Sequence, residues 1–226
     1  MGKKKRHHRI HREGRGIIVS LTFLIFAINV PIYLYMSNWI FAITLLLSAA
    51  LLVFVTYFFR NPRRILEVSD SNLLIAPADG RVVVIEPTTE NEYFHDKRLQ
   101  VSIFMSPFNV HANWYPIEGK VLVSEHQDGY HKGAWLPKSS TENERSLVVI
   151  ETPNKVQIAV RQIAGAMARR IVTYAKAGGH SHRNEHFGFI KFGSRVDLYL
   201  PLDTEIFVSV GEQVTGNETI IGRINS

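Results

Sequence analysis

The chain contains no cysteine among its 226 residues. A protein without cysteine has no disulfide framework, no thiolate nucleophile and no cysteine metal site. At about 100–200 residues per domain, the length suits one folded domain with an appendage. The sequence therefore excludes disulfide-stapled scaffolds and thiol-dependent enzymes.

The body of the chain also lacks net charge, although the whole sequence carries +6. Residues 1–16 hold seven of the 26 basic residues and one of the 20 acidic ones, which leaves 19 of each sign elsewhere. A basic tail followed directly by an apolar run is typical of the flank of a membrane anchor. No RNA- or DNA-binding module accompanies the tail, so we expect no nucleic-acid partner.

Two long segments contain no charged residue, from Ile17 to Met36 and from Trp39 to Phe59. Each has about the 20 residues needed to cross a hydrocarbon core of roughly 30 Å. Because the connection is very short, they predict a helical hairpin, either transmembrane or re-entrant. Basic residues flank both open ends, which places both ends in the cytoplasm by the positive-inside rule.

The sequence thus predicts a basic cytoplasmic tail at 1–16, a hydrophobic anchor in the cell membrane at 17–60, and a domain at 61–226 on the cytoplasmic face. This domain reads as short strands and turns, so its expected fold class is mainly β, with antiparallel strands in a flattened barrel or sandwich. Glycine-turn strand pairs, one of them a hairpin at Asp79-Gly80, resemble the hybrid motifs of biotinyl and lipoyl carriers.

The stretch from Phe187 to Pro201 alternates apolar and polar residues and is rich in aromatic and branched side chains, which predicts one strand. Gly193-Ser194 lies in its middle. A glycine inside a strand usually marks a bulge or a close backbone approach. Taken alone, the stretch indicates a bulged, half-buried strand.

Three separated motifs give the Gly-Ser bond another meaning: IAPADGRVVVIE (75–86), SIFMSPFNVHANWYPIEG (102–119) and FGFIKFGSRVDLYLP (187–201). In this order they closely resemble the phosphatidylserine decarboxylase proenzymes, in particular the short form. The resemblance implies that the bond between Gly193 and Ser194 cuts itself and that Ser194 becomes a pyruvoyl group. The mature protein would then be a heterodimer of a large chain 1–193 and a small chain 194–226.

The resemblance also implies the reaction: the pyruvoyl group forms a Schiff base with phosphatidylserine in the membrane and releases carbon dioxide to give phosphatidylethanolamine. No pyridoxal phosphate and no metal are expected. Serine is a weak nucleophile and needs a base oriented by a carboxylate, and the matching motif positions offer His111 and Asp79. The long form carries a second histidine where this chain has Trp114, and His111 is the candidate for both proton transfers.

Two other features suggest ligands. Arg169 and Arg170 are adjacent, and guanidinium groups suit the phosphate of a phospholipid. The run at 178–188 holds His180, His182 and His186, a density that is compatible with zinc. It has no helical metal-binding signature, and Gly178-Gly179 favours an exposed loop.

Three alternatives stay open at the level of the sequence. One is decarboxylation of a related serine ether phospholipid, archaetidylserine, because the head-group chemistry is the same. A second is a membrane-anchored lipoyl-like carrier or adaptor protein, and a third is a membrane-tethered metallopeptidase that uses the histidine run. Self-cleavage into two chains is expected of a decarboxylase alone.

Overall fold

The computed structural model describes residues 8–129, 143–165, 170–191 and 194–225. The chain divides into two compact units, residues 1–63 and residues 64–226. The first unit contains the apolar segments and the second contains the three motifs.

The first unit is a helical hairpin. Its elements are strand β1 (His8–Ile10), helix α1 (Arg12–Tyr35), helix α2 (Asn38–Phe58) and strand β2 (Arg60–Pro62). The two helices are long and apolar enough to cross a membrane. α1 begins five residues before the predicted apolar segment, because the His11 side chain accepts a hydrogen bond from the Glu13 N–H and caps the helix.

Contacts at the open end of the hairpin and within its apolar part hold α1 against α2. Strands β1 and β2 pair in antiparallel fashion at its open end. In the apolar part, Asn29 Nδ2 donates to Ser48 Oγ at 2.9 Å, the kind of polar contact that joins helices in lipid. Gly14 packs so closely on the Phe59 ring that a β-carbon would collide with it. The predicted helical hairpin is confirmed.

The second unit consists of fourteen described strands in three antiparallel sheets. In chain order the strands are β3 (Leu73–Ile75), β4 (Gly80–Glu90), β5 (Asp96–Met105), β6 (Ala112–Trp114), β7 (Gly119–Gln127), β8 (Arg145–Glu151), β9 (Gln157–Ala164), β10 (Arg170–Thr173), β11 (His180–Ser181), β12 (His186–Lys191), β13 (Ser194–Leu200), β14 (Glu205–Ile206), β15 (Gln213–Val214) and β16 (Ile220–Arg223). The predicted mainly β fold class is confirmed.

An eight-stranded sheet curls into a half-barrel with the order β11-β7-β8-β9-β13-β5-β4-β15, and the two smaller sheets are β10-β12-β6 and β14-β16-β3. Strand β13 lies between β5 and β9. Its residues Val196, Leu198 and Leu200 enter the main apolar core. Tyr199 belongs to a smaller apolar cluster on the opposite face, as the two-residue period of a strand requires. Ser194 shares the core face.

Two local expectations differ from the structure. The residues around Asp79-Gly80 do not form a hairpin, because β3 pairs with β16 whereas β4 pairs with β5. The predicted single strand from Phe187 to Pro201 is two strands, since β12 belongs to a three-stranded sheet and β13 to the eight-stranded sheet. Residues 192–193 between them, which include Gly193, lie outside the described residues.

Candidate active site

Ser194 is the first residue of β13 and is fully buried. It lies opposite Met105 on one neighbouring strand and Ala164 on the other. Its Oγ donates to Met105 Sδ at 3.2 Å. Met105 ends β5 and opens the Ser106–His111 segment, so the β13–β5 pairing brings the second and third motifs together.

His111 is the last residue of this segment and is completely buried. Its Nδ1 lies 3.0 Å from the carbonyl oxygen of Asn109. A carbonyl can only accept, so Nδ1 carries the proton and Nε2 of the neutral ring keeps its lone pair. The imidazole is thereby fixed in the tautomer that a general base needs.

Asp79 lies in the loop between β3 and β4, where its carboxylate binds Arg64. The two guanidinium contacts measure 2.5 and 2.9 Å, and the Asp79 side chain also accepts from the backbone N–H of Gly216 at 2.8 Å and of Val110 at 3.4 Å. Asp79 therefore contacts the residue that precedes His111 and is tied to a buried arginine.

Arg64 is a site residue that the sequence does not reveal, because it sits in a basic run that reads as a membrane flank. It is 8% exposed and donates to the Gly216 carbonyl at 2.8 Å. Its guanidinium lies 4.9 Å from the ring centroid of Trp114, within the range of a cation–π contact. No spacing rule links Arg64 to a carboxylate fifteen residues later.

Trp114 occupies the position of the second long-form histidine and is almost fully buried. Its backbone N–H donates to the Pro77 carbonyl at 2.9 Å, and this bond joins the first and second motifs. Its ring meets His186 edge-on at 4.9 Å, and a β-carbon on Gly216 would collide with the indole. Trp114 thus fills the space between the Arg64 guanidinium and the start of β12.

Of the two predicted phosphate-binding arginines, Arg169 lies outside the described residues and Arg170 begins β10 with an exposed side chain. Arg170 is paired directly with Lys191 on β12. Side chains of directly opposed residues lie on the same face of a sheet. The pairing therefore sets a second cation beside Arg170, three residues before Ser194.

The histidine run contains strand β11, a turn and the start of β12. The rings of His180 and His182 stack with centroids 6.2 Å apart, while His186 packs on Trp114. Among the described ranges of the chain, three or more histidine, aspartate or glutamate side chains do not come together in a group able to hold a metal ion.

A separate buried ion cluster lies on the opposite face of the eight-stranded sheet. Arg161 contacts Glu90 at 2.6 Å and donates to the Tyr199 hydroxyl at 2.6 Å, and burial raises the pKa of Tyr199. Although burial works to raise the pKa of Glu90, three backbone N–H donors and Arg161 hold that pKa below its ordinary value. Because this cluster is separate from Ser194, a variant in it can serve as the control for a loss of stability.

Comparison with known proteins shows the family of the chain. The family model of phosphatidylserine decarboxylase matches residues 51–222. A protein of Bacteroides fragilis named phosphatidylserine decarboxylase proenzyme is 53% identical over 223 residues, covering 98% of both chains. Proteins of the same name from Cytophaga hutchinsonii and Porphyromonas gingivalis are 48% and 46% identical, each over 96% of this chain and 99% of its own. The chain belongs to the phosphatidylserine decarboxylase family.

Proposed function

We propose that this protein is a membrane-bound phosphatidylserine decarboxylase, made as a proenzyme that cuts its own chain between Gly193 and Ser194. The observation that carries the proposal is the match over nearly the whole chain to relatives that are named proenzymes. The position of Ser194 supports it, because this buried serine pairs with Met105 and so joins the second and third motifs.

Self-cleavage begins when Ser194 Oγ attacks the carbonyl carbon of the preceding residue. His111 takes the hydroxyl proton, for which its Nε2 lone pair is suited. The C–N bond then breaks, and the amine of residue 194 leaves as the serine ester forms. Loss of the α-proton eliminates the upstream carboxylate, and hydrolysis of the resulting enamine releases ammonia and leaves the pyruvoyl group.

Asp79 and Arg64 act as positioning residues in this scheme. The ion pair fixes the Asp79 carboxylate against the Val110 N–H, which precedes the catalytic histidine. Arg64 also rests on Trp114, so one buried cation contacts Asp79, the Gly216 carbonyl and the strand that follows His111.

Decarboxylation uses the same centre. The pyruvoyl group, when present on the small chain, supplies the electron sink that pyridoxal phosphate supplies in other decarboxylases. The site fits such a group, because Ser194 is enclosed between Met105 and Ala164. His111 donates the proton that replaces the departing carboxylate, and Arg170 with Lys191 bind the phosphate of the lipid.

The anchor keeps the protein at its substrate. We propose that both ends of the helical hairpin lie on the cytoplasmic side, since basic residues flank each end, and that the β unit works at this face of the cell membrane. Phosphatidylserine is a membrane lipid, so an anchored enzyme meets it without extracting it into water.

Expression of the wild type and of Ser194→Ala tests the proposal. Denaturing electrophoresis should show chains of residues 1–193 and 194–226 for the wild type and one chain for the variant. The purified wild type should release carbon dioxide from phosphatidylserine in mixed micelles, and borohydride should abolish this by reducing the carbonyl. A variant that still splits and turns over lipid would refute the proposal, and so would a wild type that stays in one piece.

A further inference from the structure

A chain of buried amide groups connects the sheet β10-β12-β6 to the neighbourhood of Ser194. Thr173, Gly188 and Asn113 lie directly across from one another on these strands. The Gln162 side chain of β9 rests on Gly188, where a β-carbon would collide with its amide. Because Gly188 has no side chain, the Gln162 amide can lie between Thr173 and Asn113.

Three hydrogen bonds hold the Gln162 side chain. Its Oε1 accepts from Ser146 Oγ at 2.7 Å and from Thr173 Oγ1 at 3.0 Å. Its Nε2 donates to Asn113 Oδ1 at 2.7 Å. Asn113, Gln162 and Ser146 are fully buried, so these bonds form in a dry environment where each is strengthened.

The far end of the chain is Asn113 Nδ2, which lies 3.7 Å from Met105 Sδ. A thioether sulfur can accept but cannot donate. Turning the Asn113 amide over would set its oxygen against the sulfur and its nitrogen against the Gln162 nitrogen. The chain and the sulfur together fix the amide with its N–H bonds toward Met105.

Ser194 Oγ donates to the same sulfur at 3.2 Å. Two donors therefore converge on one atom, and the sum of the two contacts puts them less than about 7 Å apart. The thioether is a weak acceptor, and it is the partner that the described residues give Asn113 Nδ2. A preorganised amide donor and the nucleophile thus share one weak acceptor.

We propose that Asn113 is a catalytic residue of self-cleavage, donating from Nδ2 to the oxyanion of the tetrahedral intermediate. When Ser194 Oγ bonds to the carbonyl carbon of residue 193, its proton passes to His111 and the carbonyl π pair becomes the oxyanion. Asn113 stabilises this charge until the C–N bond breaks and the amine leaves protonated. Gln162 is a positioning residue that holds the amide in the donating orientation. This inference rests on the proposed self-cleavage.

The test replaces the donor and keeps the shape. Asn113→Asp retains the oxygen that Gln162 binds but presents an acceptor to the reaction centre. Removing an oxyanion donor typically costs 10²–10³-fold in rate, so we expect cleavage slowed by about that factor. Gln162→Glu leaves Asn113 unchanged but places a carboxylate acceptor where the Gln162 Nε2 donor lies. The Asn113 amide would then turn its N–H bonds toward that carboxylate and away from the reaction centre, so we expect slower cleavage here too. Ser181→Ala is the matched control, since it removes a buried hydroxyl that donates to the Ile117 carbonyl outside this chain of amide groups, and it should cleave within about threefold of wild type.

Precursors made by cell-free synthesis in detergent micelles give the cleavage rate from gels over time. Neutral hydroxylamine splits esters, so it separates a block before ester formation from a later one. A thermal melt of each intact precursor by circular dichroism separates slow chemistry from a folding defect. The Asn113→Asp precursor should stay intact in hydroxylamine. Cleavage of Asn113→Asp and Gln162→Glu within tenfold of wild type, a hydroxylamine-sensitive precursor, or equal slowing by Ser181→Ala would overturn the role. The wild type, run in parallel, tests self-cleavage itself.

Discussion

Replacing Arg64 by glutamine removes half of a buried ion pair and leaves Asp79 without its charge partner. The two side chains are 5% and 12% exposed, and breaking such a pair costs about 3–5 kcal/mol. At about 2–4 °C per kcal/mol for a domain of this size, Arg64→Gln should lower the Tm by about 6–20 °C. Self-cleavage should slow by roughly tenfold to a hundredfold, because the loop that carries His111 loses its fixed support.

The Tm is best measured by circular dichroism in a Ser194→Ala background, where every molecule is one intact chain. Cleavage is then followed on gels for Arg64→Gln with Ser194 restored, well below its Tm. The double variant Arg64→Gln, Asp79→Asn should regain part of the lost stability, because no unpaired charge is left.

Arg161→Gln is the matched control, since Arg161 and its partner Glu90 are 4% and 0% exposed and lie on the opposite face of the sheet. It should lose a similar amount of stability yet cleave at nearly the wild-type rate. Our account of Arg64 fails if Arg64→Gln cleaves normally, or if Arg161→Gln slows cleavage as much at matched stability.

Three further predictions concern single groups. His111→Ala should slow both cleavage and carbon dioxide release per cleaved molecule by 10²–10⁴-fold, whereas Asp79→Ala should slow cleavage and leave matured molecules nearly normal; equal, full cleavage in both would exclude these roles. Because the folded pKa of Glu90 is depressed, its stabilising contribution is present above pH 4.5, the ordinary value, and is lost as the pH falls through the folded pKa. Acid unfolding of Glu90→Gln should lack this component, and identical pH profiles would contradict the assignment. Arg170→Ala and Lys191→Ala should each raise the KM for phosphatidylserine about tenfold with little change in kcat, and an unchanged KM would remove the phosphate role.

The sequence predicts the parts of this molecule that depend on local patterns. The apolar runs that give α1 and α2 are continuous, and the alternation that gives β13 repeats every second residue, so composition and period suffice. Ser194 and His111 are predicted as site residues by the resemblance of their motifs to a known family, and not by a periodic pattern.

Predictions from the local sequence failed where the fold depends on pairing between distant strands. Asp79-Gly80 has the composition of a hairpin turn, yet the carboxylate binds Arg64 and the Gly216 N–H. A charged bidentate partner is stronger than the backbone contact that a turn aspartate makes with its neighbours. Likewise, the continuous alternation from Phe187 to Pro201 conceals a change of sheet, because the apolar–polar pattern continues through both strands although both of their faces are buried.

Trp114 connects these observations to the chemistry. An indole cannot take a proton from a hydroxyl, so a chain with tryptophan in place of the second histidine leaves Asp79 no imidazole to orient at that position. The structure gives the carboxylate a guanidinium instead, and the same guanidinium rests on the indole. The Asp79 carboxylate also accepts a hydrogen bond from the backbone N–H of Val110. On this reasoning His111 depends on Asp79 for its position and on the Asn109 carbonyl for its tautomer, two separate supports for one base.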